Sequence, residues 1–318
     1  MRKLWLEKKH LEAVRKAKMC QTAALGISEL ACPSCGDVVE VLRSCKHRFC
    51  SRCGSISTRK WGEGLKSRLL DIKHYHIVMT LPKAYRGMSK KNGTKVYDIL
   101  FRSSVKTVLR WFSGRYGLRV GVVSVLHTAG SDLKYHPHIH MLVSRGGEHK
   151  QTGEYKEIAG DYLCSQRELG YQFRQLFEQE FLRVYRKEGL SLYKGLEEES
   201  DLKRWMGVQK GKHWIVSIQK PLRDIADIVG YIGRYTRRAC LSEYKLESIS
   251  GGIIRYRYND YKGSKRGEKA KEAIKEQSSE EFLDSLLKHV PNKGYRMVLM
   301  ITRGRKVNLV QKEGAMIN

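Results

Sequence analysis

No stretch of this 318-residue chain comes near the roughly 20 consecutive apolar residues that a membrane-spanning helix needs. The opening residues, Met1-Arg-Lys-Leu-Trp-Leu-Glu-Lys-Lys9, also lack the apolar segment of a signal peptide. Internal repeats are absent. Acidic residues are scarce: 33 Asp+Glu stand against 61 Lys+Arg, a formal charge of +28. Such an excess opposes a compact state by self-repulsion and is tolerated where a polyanion neutralises it. With no span to favour membrane lipid, nucleic acid is the expected partner and the cytoplasm the expected compartment. What the chain does have is 41% hydrophobic residues, enough for a real core and for two or three domains at this length.

Three regions separate by composition, 1–65, 66–245 and 246–318. The first opens with a charged helical stretch, Leu4 to Met19, and continues into a group of cysteines. In the second, His76-Ile-Val-Met-Thr-Leu-Pro82 reads as a strand ended by proline, and Val96 to Phe112 repeats apolar residues at helical spacing. Val120 to His127 and His138 to Val143 read as strands joined by a loop holding Gly130-Ser131-Asp132. Phe173, Leu176, Phe177, Phe181 and Val184 mark a further amphipathic helix. Trp214 to Ile218 reads as a short strand, and Pro221 suits the first turn of a helix running to about Ala239. In the third region Ile253 to Tyr258 alternates like a strand, Lys262 to Glu276 reads as a lysine-rich, solvated stretch, and Phe282 to His289 as a helix. Strands and helices mixed without βαβ regularity predict an α+β fold, with a mostly antiparallel sheet flanked by helices.

Five of the eight cysteines, Cys32, Cys35, Cys45, Cys50 and Cys53, sit close together in the first region. In a chain of this size with no export signal, paired CxxC spacing favours zinc over disulfides. Cys32-Pro-Ser-Cys35-Gly and Cys50-Ser-Arg-Cys53-Gly are two knuckles, each aiming two thiolates at one point, and together they complete a tetrahedral four-cysteine set. Cys45 and His47 keep the set open: either replaces a knuckle cysteine or joins Cys20 in a second site. A closed four-thiolate site serves folding and binding, not chemistry. Arg43, Lys46, Arg48, Arg52, Arg59 and Lys60 around it suit DNA phosphates.

In the run Tyr135-His-Pro-His-Ile-His-Met-Leu-Val143, strand alternation puts His138 and His140 on one face and sends Ile139, Met141 and Val143 into a core. Two imidazoles on one side of a strand make half of a divalent-metal site. A catalytic metal needs a third ligand and open positions. His127, at the end of the preceding strand, and Asp132, in the connecting loop, are the candidates, and an oxygen ligand would favour magnesium or manganese. His136 precedes Pro137 and is secondary.

Tyr231-Ile-Gly-Arg-Tyr235 continues a helical apolar series, Ile225, Ile228, Val229 and Ile232. At about 100° per residue the two tyrosines lie about 40° apart and one turn along. Arg234 and Arg238 on the same helix are placed to hold phosphates near either phenol. A tyrosine attacks phosphorus to give an ester that conserves bond energy, and a second tyrosine one turn away serves a second strand.

These stretches together resemble the HUH-type, two-tyrosine rolling-circle transposases of bacterial insertion sequences, the group with an N-terminal zinc-binding domain. The resemblance rests on Cys20-Gln-Thr-Ala-Ala-Leu-Gly26, the Cys32 to Cys53 cluster with Ser44-Cys-Lys-His-Arg48, Trp61, His76 to Pro82 and His127-Thr-Ala-Gly130. It continues through His136 to Val143, Tyr231 to Arg238 and His289-Val-Pro-Asn-Lys-Gly294, and so covers nearly the whole chain in order. It implies an HUH endonuclease domain over 66–245, a small zinc-binding, DNA-binding domain over 1–65 and a basic C-terminal extension of mixed helix and strand over 246–318. His138 and His140 would be ligands of Mg2+ or Mn2+, Tyr231 and Tyr235 the nucleophiles, and single-stranded DNA at transposon ends the substrate, cleaved through a 5′-phosphotyrosine at the bacterial nucleoid. Two stretches depart from the group: Cys50-Ser-Arg-Cys53 lacks the frequent proline after its first cysteine, and Met297-Val-Leu-Met-Ile301 replaces an arginine- and tyrosine-rich ending.

A rolling-circle replication initiator would share the nuclease chemistry, but the zinc module and tail favour the transposase. In a non-catalytic zinc-finger DNA-binding protein the two histidines and two tyrosines would be structural. A zinc hydrolase built on the histidine pair is disfavoured, since no general-base glutamate accompanies it.

Overall fold

The computed structural model describes residues 7–209, 214–224, 227, 229–230, 233, 240–261, 270–302 and 305–307. In chain order the elements are α1 (Lys8–Met19), β1 (Ile27–Ala31), β2 (Val38–Leu42), α2 (Ser51–Lys66), β3 (His74–Thr80), α3 (Lys83–Asn92), α4 (Thr94–Tyr116), β4 (Leu118–Ala129) and β5 (Tyr135–His149). There follow β6 (Tyr155–Glu157), α5 (Gln166–Glu188), α6 (Glu199–Val208), β7 (Val216–Ile218), β8 (Leu246–Ser250), β9 (Ile253–Asp260), β10 (Lys271–Ser278), α7 (Ser279–Leu287), β11 (Val298–Thr302) and β12 (Arg305–Val307). The class is the expected mixture of helix with a central antiparallel sheet. The chain divides into two compact units, one from 1–67, 129–135 and 233–294, the other from 68–128, 136–232 and 295–318. The first compositional region, 1–65, and residues 246–294 of the third, 246–318, thus fall within one unit, and 295–318 within the other.

In the first unit, β8, β9 and β10 form an antiparallel meander. Gly251 and Gly252, both at positive φ (57° and 75°), make the tight β8–β9 turn that other residues adopt only with strain. β10 corrects the expected solvated stretch: Lys271 to Ser278 pair residue by residue with Asp260 to Ile253. Charges on the two strands meet across the ladder, Arg255 with Glu276 at 2.6 Å and Arg257 with Glu272 at 3.7 Å, so a polar sequence makes a good strand. A capping box starts α7, with Ser278 Oγ accepting from the Glu281 N–H and the Glu281 carboxylate accepting from the Ser278 N–H. Leu133, Ile254, Tyr256 and Phe282 form the small core here.

In the second unit, seven strands form one sheet in the order β12-β11-β4-β5-β3-β7, with β6 beside β5. Alternation divides its strands cleanly. Tyr75, Ile77 and Met79 of β3 and Ile139, Met141 and Val143 of β5 point to one face, where α4 and α5 cover them with Ile99, Leu100, Phe112, Phe173 and Phe177. Tyr85 of α3 sits among Phe177, Phe181, Trp205 and Trp214, with ring centroids 4.9–5.7 Å away. A Cβ at Gly170 of α5 would lie 2.8 Å from the Trp214 carbonyl oxygen, so this close approach of helix to chain needs glycine. The opposite face carries His76 of β3 and His138 and His140 of β5, set by a register in which Thr80 faces His138 and Val78 faces His140, and His127 of the neighbouring β4 lies beside them.

Candidate metal centres

Cys20 caps the C-terminus of α1, and Cys50 caps the N-terminus of α2, whose first turn holds Cys53. Between them the chain runs out along β1 and back along β2, in register from Ile27↔Leu42 to Ala31↔Val38. The base of this hairpin is closed by the Gln21 N–H on the Arg43 carbonyl (3.1 Å) and the Arg43 N–H on the Gly26 carbonyl (3.1 Å). Closure returns Cys45 to Cys20, and its N–H donates to Cys20 Sγ at 3.4 Å. The sulfur atoms of Cys20, Cys45, Cys50 and Cys53 all lie within 4.8 Å of one another. Cys53 Sγ is 3.5 Å from Cys20 Sγ and 3.6 Å from Cys45 Sγ, close to the roughly 3.8 Å edge of a tetrahedron with about 2.3 Å zinc–sulfur bonds. Burial and the neighbouring thiols push the Cys45 thiol upward, so four thiolates share this place only with a cation among them. The donor set fits zinc.

The two CxxC knuckles expected to share one site are not brought together. Cys32 and Cys35 sit at the far end of the hairpin, turned by the Gly36 N–H on the Cys32 carbonyl (2.9 Å) with Gly36 at φ 79°. Five strand residues at about 3.4 Å each hold that tip about 17 Å from the base where Cys50 and Cys53 lie. At the tip the Ser34 hydroxyl, 3.1 Å from Cys32 Sγ, lowers that thiol to about 6. His47, the other open candidate, is not in the four-sulfur group.

On the sheet, His127, His138 and His140 offer ring nitrogens within 4.8 Å of one another. The His138 and His140 ring centroids are 4.7 Å apart, and that of His127 is 5.1 Å from His138 and 6.1 Å from His140. Asp132, the competing third ligand, does not join them; both its oxygens are engaged by Lys134, Oδ1 by the N–H (3.1 Å) and Oδ2 by Nζ (2.6 Å). His138 Nδ1 donates to the His136 carbonyl at 2.6 Å, which leaves Nε2 as the basic nitrogen of a neutral ring. Burial lowers His138 to about 3 and holds His140 well below the usual imidazole range. Both rings are therefore neutral at pH 7, the form that binds a metal.

Sequence reasoning did not single out His76. It is 1% exposed, and burial lowers it to about 4. Its Nε2 lies 3.0 Å from His140 Nδ1, and its Nδ1 lies 3.0 Å from Gln219 Oε1. The signal was present: His74-Tyr-His76 is itself a histidine pair on a strand. Tyr231, Tyr235, Arg234 and Arg238 lie outside the described residues.

A cysteine-rich N-terminal module whose donor set fits zinc and a sheet bearing three convergent histidines are the two candidate metal centres of this chain. Comparison with known proteins makes this specific. Residues 2–81 match the family described as "Transposase zinc-binding domain", and residues 121–300 match the family described as "Putative transposase". The chain is 30% identical over 287 residues to "Putative transposase y4qJ" of Sinorhizobium fredii, covering 88% of this chain and 71% of that protein. It is 28% identical over 294 residues to the transposase for insertion sequence element IS801 of Pseudomonas savastanoi pv. phaseolicola, covering 91% and 68%. No solved structure matches. The chain belongs to this family of insertion-sequence transposases with an N-terminal zinc-binding domain. Among the described residues no helix is long and apolar enough to cross a membrane.

Proposed function

We propose that this transposase nicks single-stranded DNA at insertion-sequence ends through a 5′-phosphotyrosine and transfers strands by a rolling-circle type of mechanism. The observation that carries the reading is the convergence of His127, His138 and His140, all from one sheet face, in a chain of this family. Of the two expected ions the all-imidazole set suits Mn2+ better than Mg2+, and either, when bound, would polarise the scissile phosphate as a Lewis acid. The remaining work belongs to the chain's own residues. The phenol oxygen of Tyr231 or Tyr235 attacks phosphorus and gives up its proton; the P–O3′ bond breaks, and the 3′ oxygen leaves as a hydroxyl after taking a proton. Arg234 and Arg238, close to the tyrosines in sequence, neutralise the phosphate they engage. The 3′-OH so freed primes displacement or attacks the ester held by the other tyrosine.

In the N-terminal module, Cys20, Cys45, Cys50 and Cys53 hold a structural zinc that fixes α1 against α2. Its DNA contacts come from Arg43, Lys46, Arg48, Arg52, Arg59 and Lys60. The hairpin itself, residues 27–42, contains Glu29, Asp37 and Glu40 and no Lys or Arg, which disfavours it as a phosphate contact.

The test is incubation with single-stranded end oligonucleotides and Mg2+ or Mn2+, followed by denaturing gels. A metal-dependent protein–DNA adduct is expected, reduced by Tyr231→Phe or Tyr235→Phe and abolished by the double substitution. Tight binding without an adduct on any end sequence would favour a non-catalytic DNA-binding protein. An adduct surviving the double substitution would remove the tyrosines from the mechanism.

A further inference from the structure

His138 and His140 reach the same chemical state by different routes. For His138 the anchor is a backbone carbonyl, that of His136, which no side-chain substitution removes. For His140 the anchor is a second imidazole, and an imidazole does not by itself decide which way a proton points. The decision is made one step further out.

Gln219 presents its amide oxygen Oε1 to His76 Nδ1 at 3.0 Å. An amide oxygen only accepts, so the single proton of neutral His76 sits on Nδ1. His76 Nε2 is then an acceptor, and the hydrogen bond to His140 is donated by His140 Nδ1–H. With its proton on Nδ1, His140 has its lone pair on Nε2, the nitrogen left for the group shared with His127 and His138. Backbone bonding ties the members of the relay together. The Gln219 N–H also donates to the His76 carbonyl at 3.0 Å, directly beyond the β3–β7 ladder. The His76 and His140 rings lie edge to edge in nearly one plane, with an interplanar angle of 12° and centroids 5.3 Å apart, the arrangement that an N–H···N bond between them requires.

We propose that His76, set by Gln219, is a positioning residue for the catalytic metal: it fixes His140 in the Nδ1–H tautomer and aims Nε2 at the ion. The proposal rests on the reading of His127, His138 and His140 as metal ligands. It differs from a packing role because it makes opposite predictions for substitutions of similar size. His76→Leu removes the acceptor, leaves the His140 Nδ1–H buried without this partner, and should weaken Mn2+ binding about 10- to 100-fold. His76→Gln puts a carbonyl oxygen near the place of Nε2 and should restore most of that loss. Gln219→Leu frees His76 to carry its proton on Nε2, which forces the wrong tautomer on His140; a several-fold weakening is expected. Gln219→Glu keeps an acceptor at Nδ1 and should bind Mn2+ at least as tightly as wild type.

The experiment titrates Mn2+ into the full zinc-loaded chain without DNA, by calorimetry or electron paramagnetic resonance. In parallel, 15N-resolved NMR of the histidine side chains reads the His140 tautomer. Retained zinc and a cooperative melt certify each variant as folded; should His76→Leu fail this check, the Gln219 pair carries the test. Weakening in both leucine variants, rescue by His76→Gln and a protonated Nδ1 on His140 in wild type support the proposal. Equal Mn2+ affinity in wild type, His76→Leu and Gln219→Leu would overturn it while leaving the metal site intact. Wild-type Mn2+ binding unaffected by His138→Ala with His140→Ala would overturn the underlying ligand assignment as well.

Discussion

The backbone N–H of Cys45 donates to Cys20 Sγ at 3.4 Å, joining two residues that the whole β1–β2 hairpin separates in sequence. A hairpin brings the residues outside its base together and holds the residues at its turn away. Cys20 and Cys45 thus become neighbours of Cys50 and Cys53, while Cys32 and Cys35 do not.

Metal analysis of single serine variants checks this grouping. Cys20→Ser and Cys45→Ser should each lose the zinc and the folding of residues 1–67, because a structural zinc site supplies folding free energy outright. Cys32→Ser and Cys35→Ser should keep this zinc and a native melting transition. Zinc lost on Cys35→Ser but kept on Cys20→Ser would restore the knuckle–knuckle arrangement.

The third ligand on the sheet is decided by a second pair of variants. His127→Ala should weaken Mn2+ binding at least tenfold and slow adduct formation correspondingly, whereas Asp132→Ala should leave Mn2+ affinity unchanged. Calorimetry on both reads the answer; the reverse pattern would move the site toward the β4–β5 loop.

Stability of the metal-free chain should fall with acid. His138 and His76 are lowered by burial to about 3 and about 4, so below the unfolded value near 6.5 the unfolded chain binds protons that the folded chain refuses. The contribution is whole above about pH 6.5 and is lost as pH falls toward 4 and then 3. At pH 5 each imidazole should cost about 2 kcal/mol relative to pH 7.5. Urea unfolding at the two pH values measures it, and His76→Gln should show a smaller acid loss. Equal midpoints in wild type would mean that these rings are not held neutral.

Packing beneath the sheet gives a prediction independent of metal. Phe177, fully buried between Tyr85, Phe173, Phe181 and Trp214, should cost about 3–5 kcal/mol when cut to alanine. Gly170→Ala should also destabilise, because its methyl would meet the Trp214 carbonyl. Chemical denaturation of both variants tests whether α5 is the rigid support of the sheet.

Much of this was legible because period and composition are local. The alternation in Ile139, Met141 and Val143 put those residues in the core and placed His138 and His140 together on the other face, and the helices around Ile99 and Phe173 followed from their spacing. β10 was hidden, since Lys271 to Ser278 is held as a strand by cross-strand ion pairs and ladder bonds to β9, not by an apolar stripe of its own. Helix α2 was hidden as well, its first turn disguised by the Cys50-Ser-Arg-Cys53 knuckle.

The sequence by itself determined that this chain carries thiols in zinc-binding spacing, imidazoles able to take a divalent metal and an excess of positive charge suited to DNA, because residue type sets chemistry. It singled out His138 and His140 as a pair but left their third partner open, and it pointed to two cysteine knuckles without showing which thiols meet. Sheet pairing brought His127 to His138 and His140 and put His76 behind them. Hairpin closure chose Cys20 and Cys45 over Cys32 and Cys35. Those choices depend on pairing between distant residues, and only the folded backbone supplies it.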